Sequence, residues 1–212
     1  MESDLRGTRK ALAEALRTHP VIAAARDERA FRQALAAPVR VIFLLATSIE
    51  RLQPLADEAR GTGKLLFVHM DFVAGLAKDE AGLEFLVEMA HPTGVITTRS
   101  HLVTQAQRLG LIPVQRIFLV DTLSLQTGLD SAHASKAEVV EVMPGVIPKA
   151  VTDAKIHLPQ TLIIAGGLVR SARQVAKALA AGAAAVSTSS EALWAATPAE
   201  FEAIIAGGQG TR

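Results

Sequence analysis

Eight short runs of unbroken apolar character constrain the fold of this chain more than any other feature: VIAAA (21–25), VIFLLA (41–46), KLLFVHMD (64–71), GVITT (94–98), IPVQRI (112–117), EVVEVM (138–143), TLIIAG (161–166) and AAAVSTS (183–189). A strand with one wet face alternates apolar and polar residues, whereas a parallel strand covered on both faces reads as a continuous β-branched run. The segments between the runs carry helix signals. LEFLVEMA (83–90) and ARQVAKALAAG (172–182) repeat apolar residues at helical spacing, and the glycine closing the second is a helix stop. TSIE (47–50) and SARQ (171–174) both fit a capping box, in which a hydroxyl and a side chain three residues on satisfy the free amides of a helix start. Strand then helix, repeated eight times without a linker, predicts an α/β single-domain (β/α)8 TIM barrel. A doubly wound sheet is the alternative, but no crossover or composition shift marks where its strand order would reverse. The expected layout is a leading helical segment over 1–18, the barrel over 19–196, and a C-terminal segment over 197–212 ending in a loose tail, GGQGTR (207–212).

Composition narrows the function. Half of the 212 residues are apolar, enough for one large core, and 22 Lys plus Arg against 21 Asp plus Glu point by themselves to neither a nucleic-acid nor a membrane partner. No cysteine is present, which excludes disulfides, thiolate metal sites and thiol catalysis and makes a reducing cytoplasm the expected compartment. The opening MESDLRGTRK lacks the apolar core of a signal peptide, and no run approaches the roughly 18 apolar residues of a membrane span.

In a barrel of this kind, function sits at the carboxyl ends of the strands, and a phosphate commonly lies between the loops after strands seven and eight. The seventh run stops at Gly166 and Gly167, and the eighth ends in Ser187, Thr188, Ser189 and Ser190. Glycines let main-chain amides approach an anion, and hydroxyls add donors, so Gly166, Gly167, Ser187, Thr188 and Ser189 are the candidate phosphate ligands. The alternative is that the glycines merely turn the chain and the serines cap a helix. On the third strand, His69 and Asp71 are two apart and so expected on one side, with Phe67 and Leu65 continuing that side inward; they face a ligand's hydroxyls or else hydrogen-bond each other. Gln115 and Arg116 end strand five on opposite faces, so only one points inward. Glu141 shares a face with Met143 on strand six, where a carboxylate is costly unless it meets Arg116, Lys149 or a polar ligand. Arg99 and Ser100 follow strand four as ligand groups, or as a solvated side chain and an N-cap, and Arg26 closes strand one.

Catalytic groups are harder to place. Lys149 lies beyond MPGVIP and Lys64 starts its strand at the closed face, so neither is positioned as a Schiff-base former. Glu141 or Asp71 as a general base, or the two with His69 around a divalent metal, is a weak pattern, and the HExxH, P-loop and strand-borne Rossmann motifs are absent. No catalytic residue, metal ligand or cofactor is assigned; the inventory suits holding a small phosphorylated polyol better than transforming it.

The chain resembles the glycerol-uptake operon antiterminator regulatory proteins, also described as glycerol-3-phosphate-responsive antiterminators. The likeness runs through HPVIAAARD (19–27), IFLLATSI (42–49), FVHMDFVAGLAKDEAGLEFL (67–86), GVITTRSHLVTQAQRLGLIPVQRIFLVDTLSLQTG (94–128), EVMPGVIPKAV (141–151), IIAGGLVR (163–170) and AAVSTSSEALW (184–194). The order and length of these pieces, above all QRIFLVDTLSL and EVMPGVIPK, make the set specific. Residues before Thr18 and after Trp194 lie outside the pattern, and TTRS (97–100) has Arg where Lys is expected, which keeps the charge but changes the donor geometry. The resemblance implies a TIM-barrel regulator, not an enzyme, that senses glycerol 3-phosphate and binds the leader of glycerol-utilisation mRNA. It implies the ligand phosphate at Gly166, Gly167, Ser187, Thr188 and Ser189, and its glycerol end at His69, Asp71, Arg116 or Glu141.

Arg170, Arg173 and Lys177 are spaced to lie along one face of the helix after strand seven, a modest basic stripe for RNA backbone or a solvated face. With one Trp and no Tyr, base stacking contributes little. A homo-oligomer is compatible with the sequence, and no membrane partner is expected. A phosphosugar-handling barrel enzyme (isomerase, synthase or phosphodiesterase) with Glu141 or Asp71 as base is the alternative function.

Overall fold

The computed structural model describes residues 2–208. Eight parallel strands close into a barrel: β1 (Val21–Ala25), β2 (Val41–Leu44), β3 (Leu65–His69), β4 (Gly94–Thr97), β5 (Ile112–Phe118), β6 (Val139–Met143), β7 (Leu162–Gly166) and β8 (Ala185–Thr188). Each strand pairs with its neighbours in sequence, and β8 returns to β1 through Ile22↔Ser187, so no edge is left open. All eight apolar runs are strands, and the architecture is a (β/α)8 barrel.

The helices are α1 (Glu2–Thr18), α2 (Glu28–Ala36), α3 (Ile49–Gly61), α4 (Glu80–Ala90), α5 (Ser100–Arg108), α6 (Thr122–Ala134), α7 (Pro148–His157), α8 (Ala172–Ala180), α9 (Glu191–Trp194) and α10 (Pro198–Gly208). Alternation along each strand sorts the core into two layers. Outward residues such as Ala23, Ile42, Val68, Val142 and Ala165 pack with the helices in one cluster. Inward residues Ile22, Phe43, Phe67, Ile96, Val114 and Ile164 fill the barrel, and Leu12, Ala15 and Leu16 of α1 join them. The leading helix is thereby a plug for one end of the barrel, leaving the carboxyl ends of the strands as the other end. Phe201 of α10 is buried, and this helix packs against α8. Of the expected loose tail, Gly207 and Gly208 close α10, and 209–212 lie outside the described residues.

The two expected capping boxes part company. Ser171 and Gln174 form one at α8. TSIE does not: Ser48, not Thr47, is the N-cap of α3, and its side chain makes no cap bond. Thr47 and Ser48 are drawn into a two-residue parallel ladder with Val73 and Ala74. Three positions beyond Ser48 stands Arg51, which donates through Nε to Glu28 Oε1 at 2.7 Å. The box fails by one residue of register.

Inside the barrel, the Phe43 and Phe67 rings lie 5.5 Å apart, and a Cβ on Gly94 would collide with the Phe67 ring, so that glycine makes room for it. Phe67→Ala opens a cavity that neither the strands nor the α1 plug can collapse into. The expected loss is about 3–5 kcal/mol, read as a lower urea midpoint at unchanged slope.

Candidate functional site

The innermost feature at the open end is a carboxylate. Glu141 is fully buried, and the β5–β6 register sets it directly opposite Arg116, whose Nε donates to Oε2 at 2.7 Å. Ser187 donates its hydroxyl to Oε1 at 2.5 Å. A buried carboxylate is tolerable only with this kind of satisfaction. Of the two cations expected as partners, Arg116 takes the role; Lys149, exposed on α7, pairs instead with Asp153 at 2.9 Å. Gln115 turns outward, donating to Ser131 at 3.1 Å and accepting from Ser135 at 2.7 Å.

Gly166 stands opposite Ser187 in the β7–β8 register, and a Cβ there would overlap Glu141 Oε1 and lie 2.7 Å from Ser187 Oγ. The space that this glycine leaves is filled by the carboxylate and its partner. Gly167 has φ +77° and a Cβ would lie 2.7 Å from Met143 Cε, so it is fixed both by conformation and by packing. Leu168 continues the turn at φ +62°. The Thr188 hydroxyl donates to Val169 O at 2.7 Å and accepts from Ser190 N at 3.0 Å, tying the end of β8 to the β7 loop. The Trp194 indole donates to Thr188 O at 2.8 Å beneath it. Ser189 alone among the candidate hydroxyls is exposed.

These loops enclose a cavity of roughly 240 Å³, reached by Gly167, Leu168, Val169, Ser187, Thr188 and Ser189 from one side and by Arg26, Arg116, Glu141 and Met143 from the others. Arg170 lines it too. Arg116 is neutralised by Glu141, but Arg26 and Arg170 have no acidic partner among the described residues, so the mouth favours an anion. Arg170 was expected on the helix with Arg173 and Lys177. It precedes the Ser171 cap, where the chain has not yet entered α8, and belongs to the cavity wall instead. Arg173 and Lys177 sit one turn apart and exposed on α8.

A second polar group gathers after β2 and β3. Strand β3 ends at His69, and Asp71 stands in a 3-10 turn over Met70–Phe72, so the strand alternation used to align the two does not extend to it. They are nonetheless close: His69 Nδ1 is 3.7 Å from Asp71 Oδ2, too long for the mutual hydrogen bond that would have satisfied both. Arg99 donates to Asp71 Oδ1. Arg99 is the N-cap residue of α5 and Ser100 its first helical residue, with no side-chain cap. Both ring nitrogens of His69, Asp71 Oδ2 and Thr47 Oγ1 are buried without a partner. The Phe72 ring lies 4.6 Å from the His69 ring while itself 59 % exposed. Lys64, at the closed face as expected, donates to the carbonyls of Ala34, Ala37 and Val39.

Sequence reasoning missed Arg170 as a cavity residue, Thr47, and Gly145, whose Cβ would collide with the Ala165–Gly166 backbone. A glycine following MP in a strand-end loop was the only signal for the last. Among the described residues, no cluster of three or more metal-ligating side chains and no helix long and apolar enough to cross a membrane occurs.

Fold and site together define a (β/α)8 barrel with an anion-favouring mouth at the carboxyl ends of its strands. The family model described as glycerol-3-phosphate responsive antiterminator matches residues 21–194, and the chain belongs to that family. It is similar to the glycerol uptake operon antiterminator regulatory protein of Listeria monocytogenes str. 4b F2365, with 30% identity over 83% of this chain and 95% of that one and a TM-score of 0.80. A glycerol uptake operon antiterminator-related protein of Thermotoga maritima MSB8 is 31% identical over 84% of this chain and 98% of that one, with a TM-score of 0.74. The Escherichia coli (strain K12) protein YgcP is 29% identical over 181 residues, 84% of this chain and 93% of its own. A deoxyribose phosphate aldolase from Aeropyrum pernix shares the fold alone, at 18% identity over 92% of this chain and 96% of its own, with a TM-score of 0.66.

Burial holds the His69 pKa down to about 4, helped by the Arg116 charge and opposed by Asp71. Burial lowers His19 as well. An unfolded histidine, with its pKa near 6.5, binds a proton that folded His69 refuses, so acidification from about 6.5 to 4 removes stability. Urea denaturation across that window is expected to show stability falling with pH, and His69→Gln to flatten the slope while leaving the His19 part. An unchanged slope would place His69 in water.

Proposed function

We propose that the protein is a cytoplasmic regulator that binds glycerol 3-phosphate at the barrel mouth and, in response, the leader of glycerol-utilisation mRNA. The observation that carries the ligand reading is the cavity against Gly167, Ser187, Thr188 and Ser189, bordered by two arginines without acidic partners among the described residues. A phosphate there meets main-chain amides at the β7–β8 loops, the Ser189 hydroxyl and the Arg170 and Arg26 guanidinia. Ser187 and Thr188 close the cavity wall through their bonds to Glu141 and Val169, and Gly166 through the room it gives that carboxylate. The polyol end points across the barrel toward Arg116, Glu141, His69 and Asp71.

An enzymatic role is less supported by the same geometry. Glu141 is engaged through both oxygens by Arg116 and Ser187, and Asp71 through one oxygen by Arg99, so each carboxylate is held as the anion of an ion pair. The proposed effector needs no cofactor or metal.

RNA binding rests on the family and on a small basic surface. Arg173 and Lys177 are exposed, without acidic partners among the described residues, on the helix that the β7 loop feeds directly. A ligand that holds Arg170 and the 166–170 turn biases how α8 is presented, by as much as its affinity differs between the two arrangements. Release of backbone counterions makes such binding salt-dependent.

In a gel-shift assay with the leader RNA at two salt concentrations, glycerol 3-phosphate is expected to strengthen binding and added salt to weaken it. Arg170→Ala is expected to raise the glycerol 3-phosphate concentration required by roughly tenfold, the cost of one charged hydrogen bond. Binding that ignores the ligand, or turnover of a phosphosugar without RNA binding, contradicts the proposal.

A further inference from the structure

The end of the barrel opposite the mouth carries a ring of uncancelled positive charge. Helices run down from the open end, so their last turns and the loops into the next strands meet at the closed one. Arg40 and Lys64 immediately precede β2 and β3, Arg108 and Lys177 stand in the last turns of α5 and α8, and Lys136 follows α6. None of the five has an acidic partner among the described residues, whereas Arg9, Arg17 and Arg60 are paired with Glu138, Glu14 and Asp57. Glu88, in the last turn of α4, is a break in the ring. A cation at a helix end complements the helix dipole, which accounts for Arg108 and Lys177 but not for Arg40 and Lys64, which lie beyond the helices before them. Burial and then the Arg40 charge hold the Lys64 pKa down, and two like charges so placed attract an anion more strongly than either alone.

Polarity selects the class of partner. The exposed large apolar side chains Phe72, Phe118, Val120, Leu123, Ile147 and Leu168 all lie at the open end, and among the described residues Ile156 is the one in a last helical turn. A membrane-binding face needs apolar residues among its cations, and a protein interface an apolar centre; a polyanion with a solvated backbone needs neither. At the open end Asp27, Asp79 and Asp121 cap α2, α4 and α6, and carboxylates at that rim oppose a polyanion.

Beside Arg40 the closed end also has a cavity of roughly 450 Å³, bordered by Glu14, Ala15, Thr18, His19 and Pro38. Five of its seven lining residues precede residue 21, where the family match begins, so α1 gives this chain a wall of its own. His19 is 7 % exposed, and its Nδ1 lies 3.2 Å from Val21 O, which can only accept, so Nδ1 carries the hydrogen. Burial keeps the ring neutral, and Nε2 is left a bare, buried acceptor with no partner. The Thr18 hydroxyl donates to the carbonyls of Glu14 and Ala15 and keeps its own lone pairs. The cavity therefore presents acceptors from His19 and Thr18 and a donor from Arg40. An unstacked nucleobase carries N–H donors and carbonyl acceptors side by side, and a duplex keeps the same groups paired.

We propose that a single-stranded RNA lies across the closed end, with backbone phosphates on Arg40, Lys64, Arg108, Lys136 and Lys177 and one unstacked base in the cavity beside α1. The inference rests on the RNA half of the proposed function and gives it a surface. Ligand and RNA then occupy opposite ends of the barrel, and of the α8 cations Lys177 makes the contact.

The test is fluorescence anisotropy of the full chain, saturated with glycerol 3-phosphate, against the leader RNA and an unstructured oligouridine of about 12 nucleotides. Arg40→Ala and Lys136→Ala are each expected to weaken both RNAs about fivefold at about 0.1 M salt, and to make log affinity against log salt shallower by about 0.7. Lys78→Ala removes an exposed charge at the open end and is expected to change neither. His19→Leu is expected to weaken oligouridine about tenfold, the cost of a lost base contact, and to leave inorganic polyphosphate, which has no bases, unchanged. The ratio of those two affinities does not move with a general loss of folding. Leader RNA held equally well by the Arg40→Ala/Lys136→Ala double variant overturns the closed-end seat and leaves the RNA reading standing. Oligouridine and polyphosphate weakened alike by His19→Leu overturn the base cavity. Capture of phosphatidylglycerol vesicles in place of RNA overturns the choice of partner, and failure of the unsubstituted protein to bind either RNA overturns the RNA reading and this seat with it.

Discussion

A single buried carboxylate organises the open end of this barrel. Glu141 cannot stand inside the ring of strands without compensation, and it draws that compensation from the Arg116 guanidinium on β5 and the Ser187 hydroxyl on β8, in space left by the side-chain-free Gly166 on β7. One group on β6 thereby fixes the relative heights of four consecutive strands. The loops that leave those strands inherit the register. Removing Arg116 or Ser187 alone would leave the carboxylate partly bare, so the cluster holds as a unit.

Charge is distributed unevenly above that layer. The inner arginine is cancelled, while Arg26 and Arg170 at the rim face no carboxylate among the described residues. Across the barrel lie unbonded acceptors and donors on Thr47, His69 and Asp71. A small molecule with an anionic end and a hydroxylated end matches the two sides in kind, and the proposed ligand reading rests on that match.

The strands were legible because burial on both faces demands continuous apolar runs, and these runs are short and mostly β-branched, unlike the longer helical segments between them. That Glu141 needed a partner was legible for the opposite reason, since an inward carboxylate must be compensated, but the sequence left Arg116, Lys149 and a polar ligand open, and the register opposite Arg116 decides it. Gly166 was harder. A glycine at a strand end looks alike whether its missing side chain admits a ligand or a neighbour's carboxylate, and here the carboxylate occupies the space. Asp71 was aligned by an alternation that stops at His69, Thr47 by a box one residue out of register, and Arg170 by a helix that begins two residues later. Each miss lies where a regular element gives way to a loop, and local periodicity carries no information beyond that point.

The most direct measurement is a crystal structure of the protein grown with glycerol 3-phosphate. The phosphate oxygens are expected within hydrogen-bonding reach of the 166–170 turn, Ser189 and the Arg170 guanidinium, with the two free hydroxyls directed at His69. Density for the phosphate at the opposite end of the barrel, beside the α1 plug, would contradict it.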